Sequence, residues 1–341
     1  MKRFLFILSI VPIVCILGAC TGILIFNRPT GVGKKEVEIR HGSTVKQIGQ
    51  QLYRKRLIHS PRLLQFLAQI NGSSRRLKSG IHPFNGQMTT WEVLLELERP
   101  RDVTQNVTVP EGLEKKQVAA ILSKQLNLDQ NKLLLLMNSP TFCKTLSLQT
   151  KDLEGYLLPE TYNFSTTVSE QQVLCRMVEH CHAVFDERLQ RRARELEMSI
   201  HEVITLASII EGETSWDSER DTIAAVYHNR LKKGMRLQAD PTVQYALPGE
   251  PRRLFYKDYS YDSPYNTYRH EGLPPGPINS PGRASIEAAL FPADVDYLYF
   301  VATGEGGHIF TRTLQEHAAA KKRTSPVRKK TWEKKKLVTG D

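Results

Sequence analysis

The chain has 341 residues, of which 40% are hydrophobic and 24% are charged, and its formal net charge is +11 at pH 7. This composition is typical of a globular protein and excludes a chain that is disordered throughout, while the length is sufficient for two domains with buried cores. The positive charge favours an anionic partner, such as nucleic acid, acidic lipid headgroups or an acidic cell-wall polymer.

The N-terminus carries two basic residues and then an uncharged segment from Phe4 to Phe26. A segment of this length can cross a bilayer as a helix, and the charge before it predicts a cytoplasmic N-terminus. Residues 1–33 are therefore predicted to be a membrane anchor and linker, in a single-pass protein of the inner (cytoplasmic) membrane with an exported body. A lipoprotein cleaved before Cys20 is the alternative, because Leu17–Cys20 resembles a lipobox; the apolar run continues past Cys20, which favours the uncleaved anchor.

Residues 34–125 are predicted to form a small β-α domain. Val37–Val45 and Val107–Leu113 each alternate like a strand, contain a turn glycine and lead into an amphipathic helix. Gly80–Phe84 and Thr89–Leu97 repeat the order of strand and helix. The first unit resembles the LysM module, which binds N-acetylglucosamine polymers, although a serine or threonine before a helix is equally a good N-cap. Glycan binding and a purely structural role both stay open for this domain.

Residues 126–320 are predicted to form a mainly helical catalytic domain with a β-rich flank. A long helix is predicted from Gln172 to Met198. The next helix, from Ile200 to about Glu211, is apolar nearly all round, which indicates that it is buried. The remaining predicted elements are helices at Ser218–Lys232 and Ser285–Leu290, turns between them, and a hairpin of Tyr297–Ala302 with His308–Phe310. The predicted fold class is α+β.

The C-terminal segment, residues 321–341, is a basic tail. Nine basic residues and one glutamate lie between positions 321 and 336. No nucleic-acid motif accompanies the charge, so we expect a solvated tail and no nucleic-acid partner. The ten histidines show no HExxH spacing, the cysteines form no CxxC pair, and no phosphate loop or GxSxG elbow occurs. The sequence therefore predicts neither a metal nor a cofactor.

Two glutamates end the buried helix. Glu213 falls on the same helical stripe as Ile210, so its carboxyl is predicted to face the core. Burial disfavours the charged form and raises the pKa of a carboxyl, as a general acid near neutral pH requires. Glu211 projects about 200° away on the helix, so the two do not easily flank one bond as paired glycosidase carboxylates do. From spacing alone, both could equally be helix-end residues that pair with Arg220 or Lys233.

The segment Glu213–Trp216 resembles the Glu-Ser-x-Trp signature of soluble lytic transglycosylases, whose glutamate is the only catalytic acid and base. A more specific resemblance, over residues 206–310, is to the endolytic murein transglycosylase (YceG-like) family. It is carried by Leu206–Thr214, Ser218–Arg220, Asn229–Leu231, Gly234–Val243, Tyr265–Tyr268, Gly272–Ile278, Tyr297–Val301 and Gly307–Phe310, and earlier by Glu154–Tyr162. One departure is Gly212, where many relatives are expected to have lysine; glycine removes no functional group needed for the assignment.

The resemblance implies a lytic transglycosylase with Glu213 as its catalytic acid and base. Such an enzyme cleaves the MurNAc-GlcNAc bond of peptidoglycan without water and leaves 1,6-anhydro-MurNAc ends, here within nascent strands. The residues expected to bind substrate are Glu211, Gln238, Asn266, Tyr268 and Asn279, each of which could instead shape a turn or loop. The implied partners are peptidoglycan glycan strands, the membrane and cell-wall synthases. Asp240, before Pro241, is expected to be a turn residue or helix cap.

Two other functions stay open from the sequence. One is a non-enzymatic peptidoglycan-binding or scaffolding protein of the cell-wall machinery. The other is a muramidase-type hydrolase, which would need a second carboxylate, Glu211 or Asp240, facing Glu213 across a cleft so that a water can be positioned.

Overall fold

The computed structural model describes residues 21–22, 24–40, 42–99, 104–214, 216–249 and 251–339, with side chains up to residue 327. Helices and strands occur together, which confirms the predicted α+β class. The chain divides into two compact units, residues 1–105 with 165–167 and residues 106–164 with 168–341. Most of the predicted anchor lies outside the described residues. Within them, none of the helices combines the length and apolarity that crossing a membrane requires.

The first unit encloses a small core between two strands and three helices. The elements are β1 (Lys35–Ile39), α1 (Val45–Arg54), α2 (Pro61–Ile70), β2 (Gly80–Phe84) and α3 (Thr90–Glu98). β1 and β2 are antiparallel, with Val37 opposite His82. Hydroxyl side chains cap all three helices, and Thr44 and Thr89 form capping boxes with the residues three positions later. The strand and helix predicted at residues 80–97 are confirmed.

The second unit holds most of the chain. Its elements are β3 (Thr104–Val109), α4 (Lys115–Leu126), α5 (Gln130–Met137), α6 (Pro140–Thr145), β4 (Glu160–Ser165), α7 (Glu170–Val184), α8 (Glu187–Glu195), α9 (Ile200–Glu213), α10 (Asp217–Lys232), α11 (Asp240–Ala246), α12 (Arg283–Leu290), β5 (Tyr299–Ala302), β6 (His308–Thr311) and α13 (Leu314–Thr339). β3 pairs with β4, and β5 pairs with β6 in an antiparallel hairpin that places Val301 opposite Ile309. The predicted hairpin is confirmed.

The division between the units falls inside β3, earlier than the predicted domain boundary at residue 125. The reason lies in the packing of α4. Its residues Val118, Ala119 and Leu122 are buried in the core of the second unit, and β3 pairs with β4 rather than with β1. A local strand-and-helix pattern shows that the elements exist, but it does not show which core buries their apolar faces.

Helix α9 lies at the centre of the second unit. All eight residues from Val203 to Ile210 are buried, as the apolar circumference predicted, and α9 packs against α10 and α12. Ser199 begins the helix with a capping box, in which Glu202 accepts the Ser199 backbone N–H at 2.8 Å. The helix continues two residues further than predicted and ends at Glu213. Its packing therefore fixes the position of this glutamate.

Three elements differ from the sequence predictions. The long helix expected at residues 172–198 is two helices, because Asp186 leaves the helical path and caps α8 by accepting the Leu189 N–H at 2.9 Å. The turn expected at Asp240 is the first residue of α11, in which Pro241 occupies the first turn, where proline is tolerated. The basic tail is continuous with helix α13.

The close approach of two loops to α9 generates a stability prediction. Gly155 has a φ of +79°, and a Cβ built on it would lie 2.3 Å from Pro277 Cβ. Gly272 has a φ of +76° with no atom near such a Cβ. We expect Gly155→Ala to lower the free energy of unfolding by about 2–5 kcal/mol and Gly272→Ala by about 1–2 kcal/mol, because only the first adds a clash to the backbone strain. Urea denaturation followed by circular dichroism measures both, and equal losses would contradict the packing.

Candidate active site

Glu213 is held at the end of α9 by a tyrosine from the next helix. Tyr227, on α10, is 1% exposed and donates its hydroxyl to Glu213 Oε1 at 2.5 Å. A buried tyrosine hydroxyl needs a hydrogen-bond partner, and the carboxyl supplies it. Because α9 and α10 pack together along their buried faces, the two side chains are brought together by the core itself.

The surroundings of Glu213 favour its protonated form. Loss of solvation is the largest influence and raises the pKa of this carboxyl to about 7. The hydrogen bond from Tyr227 lowers the pKa, the negative charge of Asp240 raises it, and the positive charge of Arg230 lowers it. Near neutral pH both the protonated and the ionised form of Glu213 are therefore accessible. A group in this state can both donate and accept a proton.

Two cavities of the second unit meet at Glu213. The first has a volume of about 470 Å³ and the second about 630 Å³. Both are lined by Glu213, Asp240 and Tyr259. Other residues of the first cavity include Arg230, Gln238, Tyr268, Tyr299, His308 and Lys321. Other residues of the second include Gly112, Gln117, Gln244, Tyr245, Arg252 and Asn279. The carboxyl thus lies within a continuous polar and aromatic surface that extends on both sides of it.

Asp240 is the second carboxyl in these cavities. Its Oδ1 accepts a hydrogen bond from the Tyr268 hydroxyl at 2.6 Å. The Tyr268 ring lies against Tyr259, with 4.5 Å between the ring centroids. Asp240 is therefore the first residue of α11, whose N-cap is Ala239, and is neither the turn residue nor the helix cap that the sequence predicted. It also faces the same space as Glu213.

Glu211 lies in a different environment from Glu213. Its Oε1 accepts a hydrogen bond from Arg220 at 3.3 Å, and its Oε2 accepts from the Ser285 hydroxyl at 2.8 Å and the Gly282 N–H at 2.9 Å. The side chain is only 7% exposed. The sequence left open that these glutamates pair with Arg220, and this pairing is confirmed for Glu211. The hydrogen-bond partner of Glu213 is Tyr227. The two carboxyls project apart, as their spacing on the helix predicted.

Three of the predicted substrate-binding residues line the cavities. Gln238 and Tyr268 line the first cavity, and Asn279 lines the second. Gln238 has a φ of +49°, and its backbone N–H donates to the Thr267 carbonyl at 3.1 Å. The amide nitrogen of Asn279 donates to the Ser208 carbonyl at 2.9 Å, whereas its buried Oδ1 has no hydrogen-bond partner in the described part of the chain. Substrate binding by these residues stays a prediction.

Asn266 occupies a structural position. It is fully buried, and its amide nitrogen donates to the carbonyls of Tyr259 at 3.1 Å and Tyr261 at 2.8 Å. Its Oδ1 accepts the Tyr268 N–H at 3.0 Å. The side chain thereby holds together the loop that presents two tyrosines to the first cavity. This is the alternative, shaping a loop, that the sequence left open for Asn266 beside substrate binding.

The structure also shows what a side chain at position 212 would contact. A Cβ built on Gly212 would lie 2.7 Å from Pro241 Cβ. The first turn of α11 can therefore pack directly on the end of α9, which brings Asp240 into the cavities beside Glu213. Any larger residue at position 212 would require Pro241 to move.

Several residues of the site were not identified from the sequence. These are Tyr227, Arg230, Tyr259 and His308. Tyr227 did offer a signal, since it is a tyrosine on a helix that must pack against α9 and its hydroxyl needs a partner. The others reach the cavities through tertiary packing alone. Among the described residues, no group of three or more histidine, cysteine, aspartate or glutamate side chains is arranged to hold a metal ion.

The chain is similar to known proteins in both sequence and structure. The model of the YceG-like family matches residues 37–323. A Bacillus subtilis (strain 168) protein named endolytic murein transglycosylase is 34% identical over 303 residues, which cover 84% of each chain. A crystal structure of a YceG-like protein from Listeria monocytogenes superimposes with a TM-score of 0.60 at 35% identity and covers 84% of this chain and 99% of that one.

A pneumococcal relative is longer. The endolytic murein transglycosylase of Streptococcus pneumoniae serotype 2 (strain D39 / NCTC 7466) is 29% identical over 314 residues. The match covers 82% of this chain but only 56% of the relative, so the chain spans just over half of that protein.

The Tyr227–Glu213 hydrogen bond generates a prediction about the acid. Because the bond stabilises the carboxylate, Tyr227→Phe should raise the pKa of Glu213 above its value of about 7. A ¹³C NMR titration of the Glu213 carboxyl measures the change. Tyr162→Phe is the matched control, since Tyr162 is also buried but donates to the Leu158 carbonyl outside the cavities. A pKa that fell or stayed the same in Tyr227→Phe would show that the bond does not tune the acid.

Proposed function

The chain belongs to the YceG-like family, and on that premise we propose that it is a peptidoglycan lytic transglycosylase with Glu213 as its only catalytic acid and base. The observation that carries this proposal is the single carboxyl with a pKa of about 7 where two cavities meet. Efficient proton transfer requires a group whose pKa lies near the working pH. Curated relatives of similar sequence bear the name endolytic murein transglycosylase, which supports the same activity.

In the proposed reaction Glu213 acts twice. It first donates its proton to the oxygen between N-acetylmuramic acid and N-acetylglucosamine, so that the C1–O bond breaks and an oxocarbenium-like or N-acetyl-assisted intermediate forms. The Glu213 carboxylate then takes the proton of the muramyl C6 hydroxyl, whose oxygen bonds to C1. The product ends in a 1,6-anhydro ring, water is not consumed and the acid is regenerated. A pKa of about 7 suits both the donating and the accepting step.

Neighbouring groups support each step. The Tyr227 hydroxyl, 2.5 Å from Glu213 Oε1, stabilises the carboxylate after the proton has left. Asp240, which lines both cavities, favours the protonated acid beforehand and counters positive charge that develops on the sugar. The tyrosines Tyr259 and Tyr268 offer flat apolar faces beside these carboxyls, as sugar rings require.

Cleavage inside a strand follows from the position of the acid. Glu213 lines both cavities, of about 470 and 630 Å³, so a strand that occupied both would continue past the bond being broken in both directions. We extend the proposal to nascent strands made by cell-wall synthases at the inner membrane. The support for this placement is the N-terminal apolar segment, which would keep the enzyme outside the cytoplasm but close to the membrane surface.

For the first unit we propose glycan binding of the LysM-like kind. Two features support it. The first is the order of the elements along the chain, in which α1 and α2 lie between the antiparallel strands β1 and β2. The second is a cavity of about 350 Å³ on α1, which is lined by Gln47, Gln50, Gln51, Arg54 and Lys55. Amide side chains can donate and accept hydrogen bonds at once, which matches the hydroxyl and acetamido groups of a glycan.

One observation favours a second candidate, a muramidase-type hydrolase. Asp240 shares both cavities with Glu213, and a hydrolase would use such a second carboxyl to activate water or to form a covalent intermediate. Asp240 Oδ1 already accepts a hydrogen bond from the Tyr268 hydroxyl at 2.6 Å. This oxygen is therefore occupied, which argues against Asp240 as the nucleophile or base of a hydrolase. The two functions differ in whether the oxygen of water enters the product.

Substitution of the two glutamates tests the proposal. Glu213→Gln keeps the size of the side chain but cannot transfer the proton, so cleavage of purified peptidoglycan should fall by about 10²–10⁴-fold while the fold is retained. Glu211→Gln should leave cleavage per folded molecule nearly unchanged but lower stability by about 1–3 kcal/mol, because Arg220 keeps its ion pair with Asp217 and loses only its charged partner Glu211. Cleavage is measured by mass spectrometry of the released fragments, and stability by urea denaturation. If Glu211→Gln abolished cleavage and Glu213→Gln did not, the assignment of the acid would fail.

A further inference from the structure

We propose that the first cavity binds a carboxylate of the muramyl side chain next to Glu213. This inference rests on the proposed function, since it names the part of the peptidoglycan strand that the same site recognises. The surface concerned, called here the basic pocket, consists of Arg230, His308, His317 and Lys321, all of which line the first cavity.

Arg230 is a buried charge that hydrogen-bonds only to backbone. It is 6% exposed, its Nε donates to the Leu298 carbonyl at 2.7 Å, and its Nη1 donates to the Leu237 carbonyl at 2.6 Å. In the described part of the chain, all the acceptors of this guanidinium are backbone carbonyls. These bonds fix the guanidinium plane and leave Nη2 for a group inside the cavity. The guanidinium also lies over the Tyr299 ring, 5.3 Å from its centroid, and interacts with the charge of Glu213. A bound carboxylate would add an anion that can accept a charge-assisted hydrogen bond from Nη2.

His308 is oriented toward the cavity by Glu219. The Glu219 carboxylate accepts the His308 backbone N–H at 2.9 Å and its ring Nδ1 at 2.7 Å. Both side chains are largely buried, at 9% and 15% exposure. With Nδ1 engaged, Nε2 points away from Glu219 and is the ring nitrogen available in the cavity that His308 lines. Because Nδ1–H is donated to Glu219, Nε2 can donate to a bound carboxylate only when it also carries a proton, so His308 would bind this ligand in its cationic form.

Helix α13 contributes the remaining two groups. His317 and Lys321 are four residues apart, so they lie on the same face of the helix. The His317 ring stacks on Tyr299, with 5.3 Å between the centroids, and its buried Nδ1 has no partner among the described residues. Lys321 is exposed and adds a positive charge to the lining of the cavity. Arg230 and Lys321 give this end of the cavity its positive charge, whereas burial lowers the pKa of His317 and favours its neutral ring, which can donate one N–H to an anion.

Only one of the two sugars of peptidoglycan carries an anion. N-acetylmuramic acid bears a lactyl ether whose carboxylate is either free or amide-linked to a stem peptide with carboxylates of its own, whereas N-acetylglucosamine bears none. The basic pocket would therefore set the register of the strand. It would place a muramyl residue beside Glu213, which is the residue that must form the 1,6-anhydro ring.

The test measures binding without cleavage. The full chain with Glu213→Gln is titrated calorimetrically with two kinds of soluble strand, one with free lactyl carboxylates and one with stem peptides. Each kind is also titrated after every carboxylate has been converted to a neutral methylamide. We expect about tenfold weaker binding of the methylamide form, as for the loss of one charge-assisted hydrogen bond. The strand type that shows this loss identifies the lactyl group or the stem peptide as the source of the carboxylate.

Matched variants assign the effect to the pocket. Lys321→Gln, in the same Glu213→Gln background, should reduce the preference for charged strands, whereas Lys322→Gln, the neighbouring exposed lysine outside the cavity, should keep it. His308→Asn provides a second pocket variant, and Arg230 is left intact because its bonds hold β5 against α10. Equal binding of charged and methylamide strands would overturn the inference. Failure of the unsubstituted enzyme to cleave any strand would instead overturn the proposed function, while the binding result would stand.

Discussion

The hydrogen bond between Tyr227 and Glu213 is the interaction on which the site depends. It forms because two buried helices, α9 and α10, pack together and leave one carboxyl and one hydroxyl facing each other with little solvent. Desolvation alone would keep the carboxyl protonated and make it a poor proton acceptor. The tyrosine lowers the pKa again, so that the balance of the two effects lies at about 7. The core thus determines the acidity of the group on which the proposed chemistry depends.

The two glutamates at the end of α9 lie in different environments because their neighbours differ. Glu211 is held by Arg220, Ser285 and the Gly282 N–H, so its charge is balanced and its oxygens are occupied. Glu213 is bound by a neutral hydroxyl and opens into two cavities. The first arrangement ties α9 to α10 and α12, which keeps the end of the helix rigid. The arrangement around Glu213 allows its carboxyl to exchange a proton with a ligand in the cavities. A mechanism with a single acid needs this difference between the two glutamates.

Local patterns predicted the parts of the molecule that local physics determines. The apolar circumference of α9 predicted its burial, and the helical spacing predicted that Glu213 and Glu211 diverge. The roles of Arg230 and His308 could not be read in this way, because each depends on a segment that is distant in the sequence and meets it only in the folded chain. The same is true of Asp240. Its proline neighbour indicated a turn, whereas the contact of Pro241 with Gly212 brings Asp240 to the acid. The sequence did not predict the break between α7 and α8. The charged pattern reads as one continuous helix, although Asp186 caps α8 in the middle of it.

The central claim is that one carboxyl, acting first as acid and then as base, breaks the glycan strand without water. Digestion of purified peptidoglycan in ¹⁸O-labelled water, followed by mass spectrometry of the released fragments, tests it most directly. The account predicts muramyl ends with the mass of the 1,6-anhydro form and no ¹⁸O at C1, because the C6 hydroxyl of the same sugar closes the ring. Reducing muramyl ends that carry one ¹⁸O atom would contradict it and would show that the enzyme is a hydrolase.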